Sequence, residues 1–145
     1  MAETGADFAA LFCGAVYAGA WPVPLPLPTS FGGKDNYIDQ LAVQLGSSDP
    51  KLFFYPAEIA AMGDGATDRH NANGGSCTGL AWDQLADAAA PDVALPEAKP
   101  DAICYLQYSS GSTRFPHGVA VTHEALLNNL AGHGHSMHLD RFPAS

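Results

Sequence analysis

Charge is the first thing this sequence lacks. Asp, Glu, Lys and Arg make up 14% of its 145 residues, against about 25% in an average soluble domain. Basic residues are the scarcest, at six Lys and Arg against fifteen Asp and Glu, a formal net charge of −9. Nonspecific nucleic-acid binding needs a basic face to displace counterions from phosphates, so the charge argues against it. A small anion held by a few local donors is not excluded. Cysteine is also sparse. Cys13, Cys77 and Cys104 stand far apart with no C-x-x-C pair, which predicts free thiols and a reducing, cytoplasmic setting. No apolar run reaches membrane-spanning length. No basic segment followed by an apolar run marks a secretory leader.

What the chain does have is apolar residues (47%), fifteen Gly and eleven Pro, enough for a core cut by many turns. Phe8, Leu11, Phe12, Ala15 and Val16 recur at helical spacing and predict a helix over 8–18. Asp7 or Thr4 could cap it, Gly19 could end it, and its largely apolar circumference predicts burial. The alternating prolines of WPVPLPLP forbid a central strand and predict an extended crossing with a short edge strand near Trp21–Val23. Ile38, Leu41, Ala42 and Leu45 share one face of a helix over 34–45 that Gly46 is expected to stop. KLFFY at 51–55 reads as a buried strand, 63–79 as a polar surface loop, 81–90 as a short helix, and 91–101 as a proline-rich crossing. Strands over 102–108 and 118–122 and a helix over 123–137, capped by Thr122, complete the chain. Strands alternating with helices predict an α/β fold. The closing LDRFPAS offers no cap, and the last helix no strand to pack beside, so the 145 residues read as part of a larger domain.

The chemistry concentrates in SSGSTRFPHGV, residues 109–119. Ser109, Ser110, Ser112 and Thr113 offer hydroxyls, and Gly111 lets successive backbone N–H groups turn toward an anion. Arg114 supplies a planar, permanently charged fork suited to phosphate oxygens. Pro116 and Gly118 constrain the return into the next strand. The stretch is not a Walker loop, which needs G-x-x-x-x-G-K-[ST] before a helix. It is not a hydrolase elbow either, since G-x-S-x-G does not occur. Composition alone leaves two readings open, a phosphate cradle or a polar hairpin loop.

The order of residues goes further. YSSGSTRFPHGVAVTH resembles the phosphate-loop motif of the adenylate-forming enzymes, roughly Y-[TS]-S-G-S-T-G-x-P-K-G-V followed by a strand and T-H. It agrees at Tyr108, Ser109, Ser110, Gly111, Ser112, Thr113, Pro116, Gly118, Val119, Thr122 and His123. It departs at Arg114, where the family usually has Gly, and at His117, where it usually has Lys. That pair of departures resembles the fatty acyl-AMP ligase branch. FAALFCGAVYAGAWPVPLPLP, 8–28, resembles an earlier helix and crossing of the same superfamily.

The resemblance implies that residues 1–145 are part of the large N-terminal domain, with the phosphate loop at 108–119 and the C-terminal domain absent. It implies ATP-dependent activation of a fatty acid to an acyl-adenylate, with Mg²⁺ assisting. The acyl group would then pass to the thiol of an acyl carrier protein or of coenzyme A. The residues expected to hold the ATP phosphates are Ser109, Ser110, Gly111, Ser112, Thr113, Arg114 and Gly118. No catalytic side chain and no metal ligand can be placed in these residues, and the isolated piece is expected to be inactive. The alternative is a non-catalytic remnant, or a module that binds a nucleotide or a partner without turnover. His133, His135 and His138 lie close in sequence, but their spacing does not put them on one helix face, so they read as a solvated helix end. Trp21 and Trp82 read as core or boundary residues.

Overall fold

The computed structural model describes residues 1, 5–27, 33–85, 92, 94–109 and 117–136. Its centre is a β-α-β unit. Strand β1 (Leu52–Tyr55) leads through a short 3₁₀ turn at Ala57–Ile59 into a helix over Ala60–Ala72 and returns as strand β2 (Thr78–Ala81). The two strands pair in parallel, Leu52 opposite Thr78 through Tyr55 opposite Ala81. Numbered in chain order, the helices are α1 (Ala6–Tyr17), α2 (Lys34–Ser48), α3 (Ala60–Ala72) and α4 (His123–Ser136). Parallel pairing with a helical crossover is what an α/β chain requires.

The core lies where α2 and α3 meet β1. Ile38, Leu41 and Leu45 come from one face of α2, Phe53 and Tyr55 from β1, and Ala66 from α3. Leu41 and Leu45 are each only 1% exposed, worth on the order of 2–3 kcal/mol apiece from apolar burial. Met1 and Leu25 close the same cluster. The backbone carbonyl of Met1 also accepts a hydrogen bond from Trp82 Nε1 at 2.8 Å, which makes Trp82 the boundary residue expected.

Several sequence expectations are corrected. The 63–79 stretch is not a loop: it holds most of α3 and the start of β2. Its glycines and short polar residues are poor helix formers, but Gly63 leaves room for the Tyr55 ring and Gly65 for Ile38, so packing overrides propensity. Asn71 then ties down the return. Its Nδ2 donates to the Cys77 carbonyl at 2.9 Å, and its Oδ1 accepts from the Cys77 N–H at 2.8 Å. Helix α2 runs through Gly46 to Ser48 and ends at Asp49, whose φ of 40° is left-handed and whose N–H bonds to Leu45 O. Asp tolerates that conformation better than most side chains. Residues 82–85 form one 3₁₀ turn rather than the start of a regular helix, and 86–90 lie outside the described residues.

Helix α1 forms as expected and ends before Gly19, whose φ is +73°. No side chain caps it, and none of its residues is buried. The Phe12 ring meets Tyr105 edge-on at 5.6 Å. Residues 21–27 of the following proline segment contain no strand. Its Pro22 carbonyl accepts a hydrogen bond from Leu106 N–H at 3.1 Å. Trp21 is 55% exposed rather than in the core.

All three cysteines are free, with Cys13 exposed and Cys77 and Cys104 buried. Burial pushes both buried thiols up. The Asp49 carboxylate adds to the effect at Cys77, and the Cys13 thiol adds to it at Cys104. A raised thiol pKa means less thiolate at pH 8, and the thiolate is the reacting species. Cys13 is therefore expected to react with a soluble aromatic disulfide about tenfold or more faster than the other two under native conditions. Stopped-flow labelling with peptide mapping checks this. Equal rates at all three positions would contradict the burial described.

Candidate functional site

Two antiparallel strands flank the motif-bearing stretch. Strand β3 (Ile103–Ser109) and strand β4 (His117–Thr122) pair antiparallel, with Leu106 opposite Ala120, Gln107 opposite Val119, Tyr108 opposite Gly118 and Ser109 opposite His117. A register irregularity between Ile103 and Tyr105 leaves Cys104 as an extra residue on β3. The apolar runs AICYLQY and GVAVT are why β3 and β4 could be read from sequence.

Ser110, Gly111, Ser112, Thr113 and Arg114 lie outside the described residues, as do Phe115 and Pro116. Their two anchors are described: the backbones of Ser109 and His117 form the last pair of the ladder. Paired residues of an antiparallel ladder stand about 5 Å apart, so the segment leaves and re-enters the fold through a narrow base. Gly118, the remaining expected phosphate-binding residue, lies in β4 one step inside that base.

The base is tied to the body of the protein on both strands. On β3, Leu106 bonds to the Pro22 carbonyl, and Tyr108 packs against the hydrophobic core. After β4, helix α4 begins at once. Its first N–H groups are satisfied by the Ala102 carbonyl (from His123, 3.1 Å), the Pro100 carbonyl (from Glu124, 2.9 Å) and Thr122 Oγ1 (from Ala125, 3.2 Å). Thr122 is the cap the sequence predicts. Among the described residues the order is therefore strand β3, strand β4 and helix α4, with the hydroxyl-rich segment of the sequence joining the two strands.

Tyr108 was legible only as the first residue of the motif, and nothing in its spacing revealed its contact with Gly118. A carbon built at the Gly118 Cβ position would lie 3.4 Å from Tyr108 Cε1 and Cζ. His133 and His135 lie in the last turns of α4. Among the described residues, no group of three or more His, Cys, Asp or Glu could hold a metal ion. No helix there is long and apolar enough to cross a membrane.

One other feature escaped the sequence reading. His70, 5% exposed, lies beside a cleft of about 260 Å³ between the C-terminal ends of α2 and α3. Its Nε2 makes no hydrogen bond and sits 3.4 Å from Asp49 Oδ1. The cleft is lined by residues of 42–49 and 70–75 and shares none with the hairpin.

Comparison with known proteins agrees with this architecture. A solved structure from studies of fatty acyl-adenylate ligases of E. coli and L. pneumophila superposes with a TM-score of 0.82. It is 34% identical and covers 93% of this chain and 24% of that one. A Caulobacter vibrioides protein named as an acyl-CoA synthetase is 39% identical over 129 residues, 89% of this chain and 22% of its own length. The long-chain-fatty-acid–AMP ligase FadD26 of Mycobacterium marinum is 32% identical over 148 residues, 99% of this chain and 24% of its own length. The chain thus spans about a quarter of the length of these relatives. The α/β expectation holds, with a fold like that of the adenylate-forming N-terminal domain. The family of AMP-binding enzymes matches residues 1–144, and the chain belongs to that family.

Proposed function

We propose that these residues carry the ATP phosphate-binding part of an enzyme that activates a fatty acid. The carboxylate attacks the α-phosphorus of ATP, pyrophosphate leaves, and an acyl-adenylate forms. A thiol then attacks the acyl carbonyl and AMP leaves. The thiol belongs to an acyl carrier protein or to coenzyme A. Residues 1–145 are part of the N-terminal domain of that enzyme, which acts in the cytoplasm.

In this reading Ser109, Ser110, Ser112 and Thr113 donate hydroxyl hydrogen bonds to the β- and γ-phosphate oxygens. Gly111 and Gly118 let the backbone approach, and Arg114 adds the one permanent positive charge within 109–119. Mg²⁺, when bound with ATP, neutralises further phosphate charge. The observation that carries the reading is the ordered motif, placed between two strands whose last pair is Ser109 and His117. The named activities of FadD26 and of the superposed ligases support the choice of a fatty acid.

The test is a chimera in which residues 1–145 replace the aligned part of the M. marinum ligase, an alignment that spans 99% of this chain. Fatty-acid-dependent pyrophosphate release from ATP is the expected result. The 145 residues alone are expected to release none above a no-protein control, since they align with 24% of that ligase. A folded chimera without turnover, or turnover by the 145 residues alone, would overturn the respective half of this reading.

A further inference from the structure

The cleft beside His70 plays no part in the activity proposed above, and its donors are already in place. His70 lies in the last turn of α3 and is 5% exposed. Its Nε2 has no hydrogen-bond partner. A Cβ at Gly75 would stand 2.1 Å from Nε2, 2.4 Å from Cε1 and 2.5 Å from Cδ2. Such even spacing puts the Gly75 backbone over the face of the ring, not in line with the nitrogen lone pair. Beside Nε2 stands Asp49, its Oδ1 3.4 Å away. Asp49 is held by its left-handed backbone and by its N–H bond to Leu45 O at 2.8 Å. Its side chain is 62% exposed, so the pair opens to the cleft both residues line.

We propose that His70 Nε2 and Asp49 Oδ1 hold a divalent metal ion of the zinc type in this cleft. Their separation is long for a hydrogen bond. Two donors each about 2.0–2.1 Å from a tetrahedral ion stand about 3.3–3.4 Å apart, which is the spacing observed. The charge at the cleft also favours a cation. Helices α2 and α3 both end beside it, and helix C-termini carry partial negative charge. Asp49 adds a full negative charge just where the α2 terminus makes a carboxylate unfavourable, and no Lys or Arg lines the cleft. A bound cation relieves that repulsion and gives the buried nitrogen the partner it lacks. Imidazole with carboxylate suits zinc, whereas Mg²⁺ prefers oxygen donors alone. Two side chains do not complete the shell, so water and the Asn73 amide oxygen, also at the cleft, take the remaining positions. The ion would tie the end of α2 to the last turn of α3 and stabilise the fold by mass action.

The test is calorimetric titration of Zn²⁺ into the chelator-treated 145-residue chain, which contains both donors, with thermal unfolding followed in parallel. It is repeated in the chimeric ligase described above, each variant against its unsubstituted parent, and neither readout depends on ATP. The variants are His70→Gln, Asp49→Asn and the control His133→Gln/His135→Gln, which removes two histidines near the end of α4. Asparagine accepts the left-handed backbone that position 49 requires, so Asp49→Asn keeps the proposal testable if His70→Gln fails to fold. One equivalent of Zn²⁺ is expected to bind and to raise the unfolding temperature. His70→Gln and Asp49→Asn are each expected to weaken binding by about tenfold or more and to abolish the rise. The α4 control is expected to behave like wild type, and excess Mg²⁺ to compete poorly. Absence of Zn²⁺ binding by the folded wild type, or unchanged binding in Asp49→Asn or His70→Gln, would overturn the site. Binding lost in the α4 control alone would overturn it as well, by placing the ion at that helix end.

Discussion

Gly63→Ala is expected to destabilise the fold by about 2 kcal/mol, although the substitution improves helix propensity. Two effects oppose each other. Gly63 lies inside α3, where Ala is favoured over Gly by about 1 kcal/mol. Against this, a Cβ at position 63 would stand 2.5 Å from Cε1 and 2.6 Å from Cγ of Tyr55, inside the van der Waals envelope of the ring. Tyr55 is 2% exposed, and its hydroxyl donates to Asp64 Oδ1 at 2.5 Å. Burial, reinforced by that carboxylate, pushes the phenol well above its ordinary range, so it remains a donor at any ordinary pH. The ring cannot retreat without losing this bond and its edge-on contact with Phe53, centroids 5.3 Å apart. Overpacking of this kind costs about 1–3 kcal/mol and occasionally more, and a fully enclosed ring belongs at the upper end. Gly65→Ala is the control, because its nearest neighbour is the flexible Ile38 Cδ1 at 3.3 Å. Urea unfolding should show a lowered midpoint for Gly63→Ala and little change for Gly65→Ala. Gly63→Ala combined with Tyr55→Leu should cost less than the sum of the single substitutions, since the smaller side chain relieves the clash. Equal stability of the two alanine variants would refute the close approach of α3 to Tyr55.

The same glycine explains why the centre of the fold was hidden from a sequence reading while its flanks were not. Helix α2 announces itself because Ile38, Leu41 and Leu45 repeat at helical spacing and are buried as that spacing demands. Strand β1 shows as a short aromatic run before Pro56. Helix α3 shows no such stripe. Of its four buried residues, Gly63, Ala66, Thr67 and His70, only alanine is apolar with a side chain. Thr67 satisfies its hydroxyl within the helix by donating to the Gly63 carbonyl at 2.9 Å. The pattern is one of small residues making room for Tyr55 and Ile38, which only the neighbouring elements reveal. Strand β2 is four residues long and contains Gly79, whose absent Cβ leaves space for the Tyr55 hydroxyl 2.7 Å away. It too is fixed by its partner rather than by its own preference. The strands on either side of 109–117 were legible as two apolar runs, and the ordered motif carried the resemblance to the family. The seating of Tyr108 on Gly118 was not legible, since cross-strand register depends on the length of the joining loop as well as on the strands.

Arg114→Ala is expected to weaken ATP use by about one to two orders of magnitude in the chimeric ligase described above. This follows from a charge-assisted hydrogen bond worth about 1.5–3 kcal/mol, at tenfold per 1.4 kcal/mol. Between 109 and 119 the sequence contains one Arg and no Lys. Where the related motif usually carries lysine, this chain has His117, and a histidine side chain is mostly neutral near pH 7. A triphosphate bound there would bring several negative charges to this segment. If hydroxyls, backbone N–H groups and Mg²⁺ neutralised them alone, the guanidinium at 114 would be dispensable. The identities at 114 and 117 argue otherwise, because the cation missing from one position is present at the other. Arg suits this role, since its planar fork can hold two phosphate oxygens at once. Arg114→Lys should therefore recover only part of the loss, while His117→Ala should cost much less than Arg114→Ala. Steady-state kinetics with ATP as the varied substrate separate the cases. A raised KM with little change in kcat would place the contact in both ground and transition states, whereas a fall in kcat would place it in the transition state. If Arg114→Ala left both constants unchanged, the guanidinium would not touch phosphate. The compensation at 114 for the lost lysine would then be an accident of sequence.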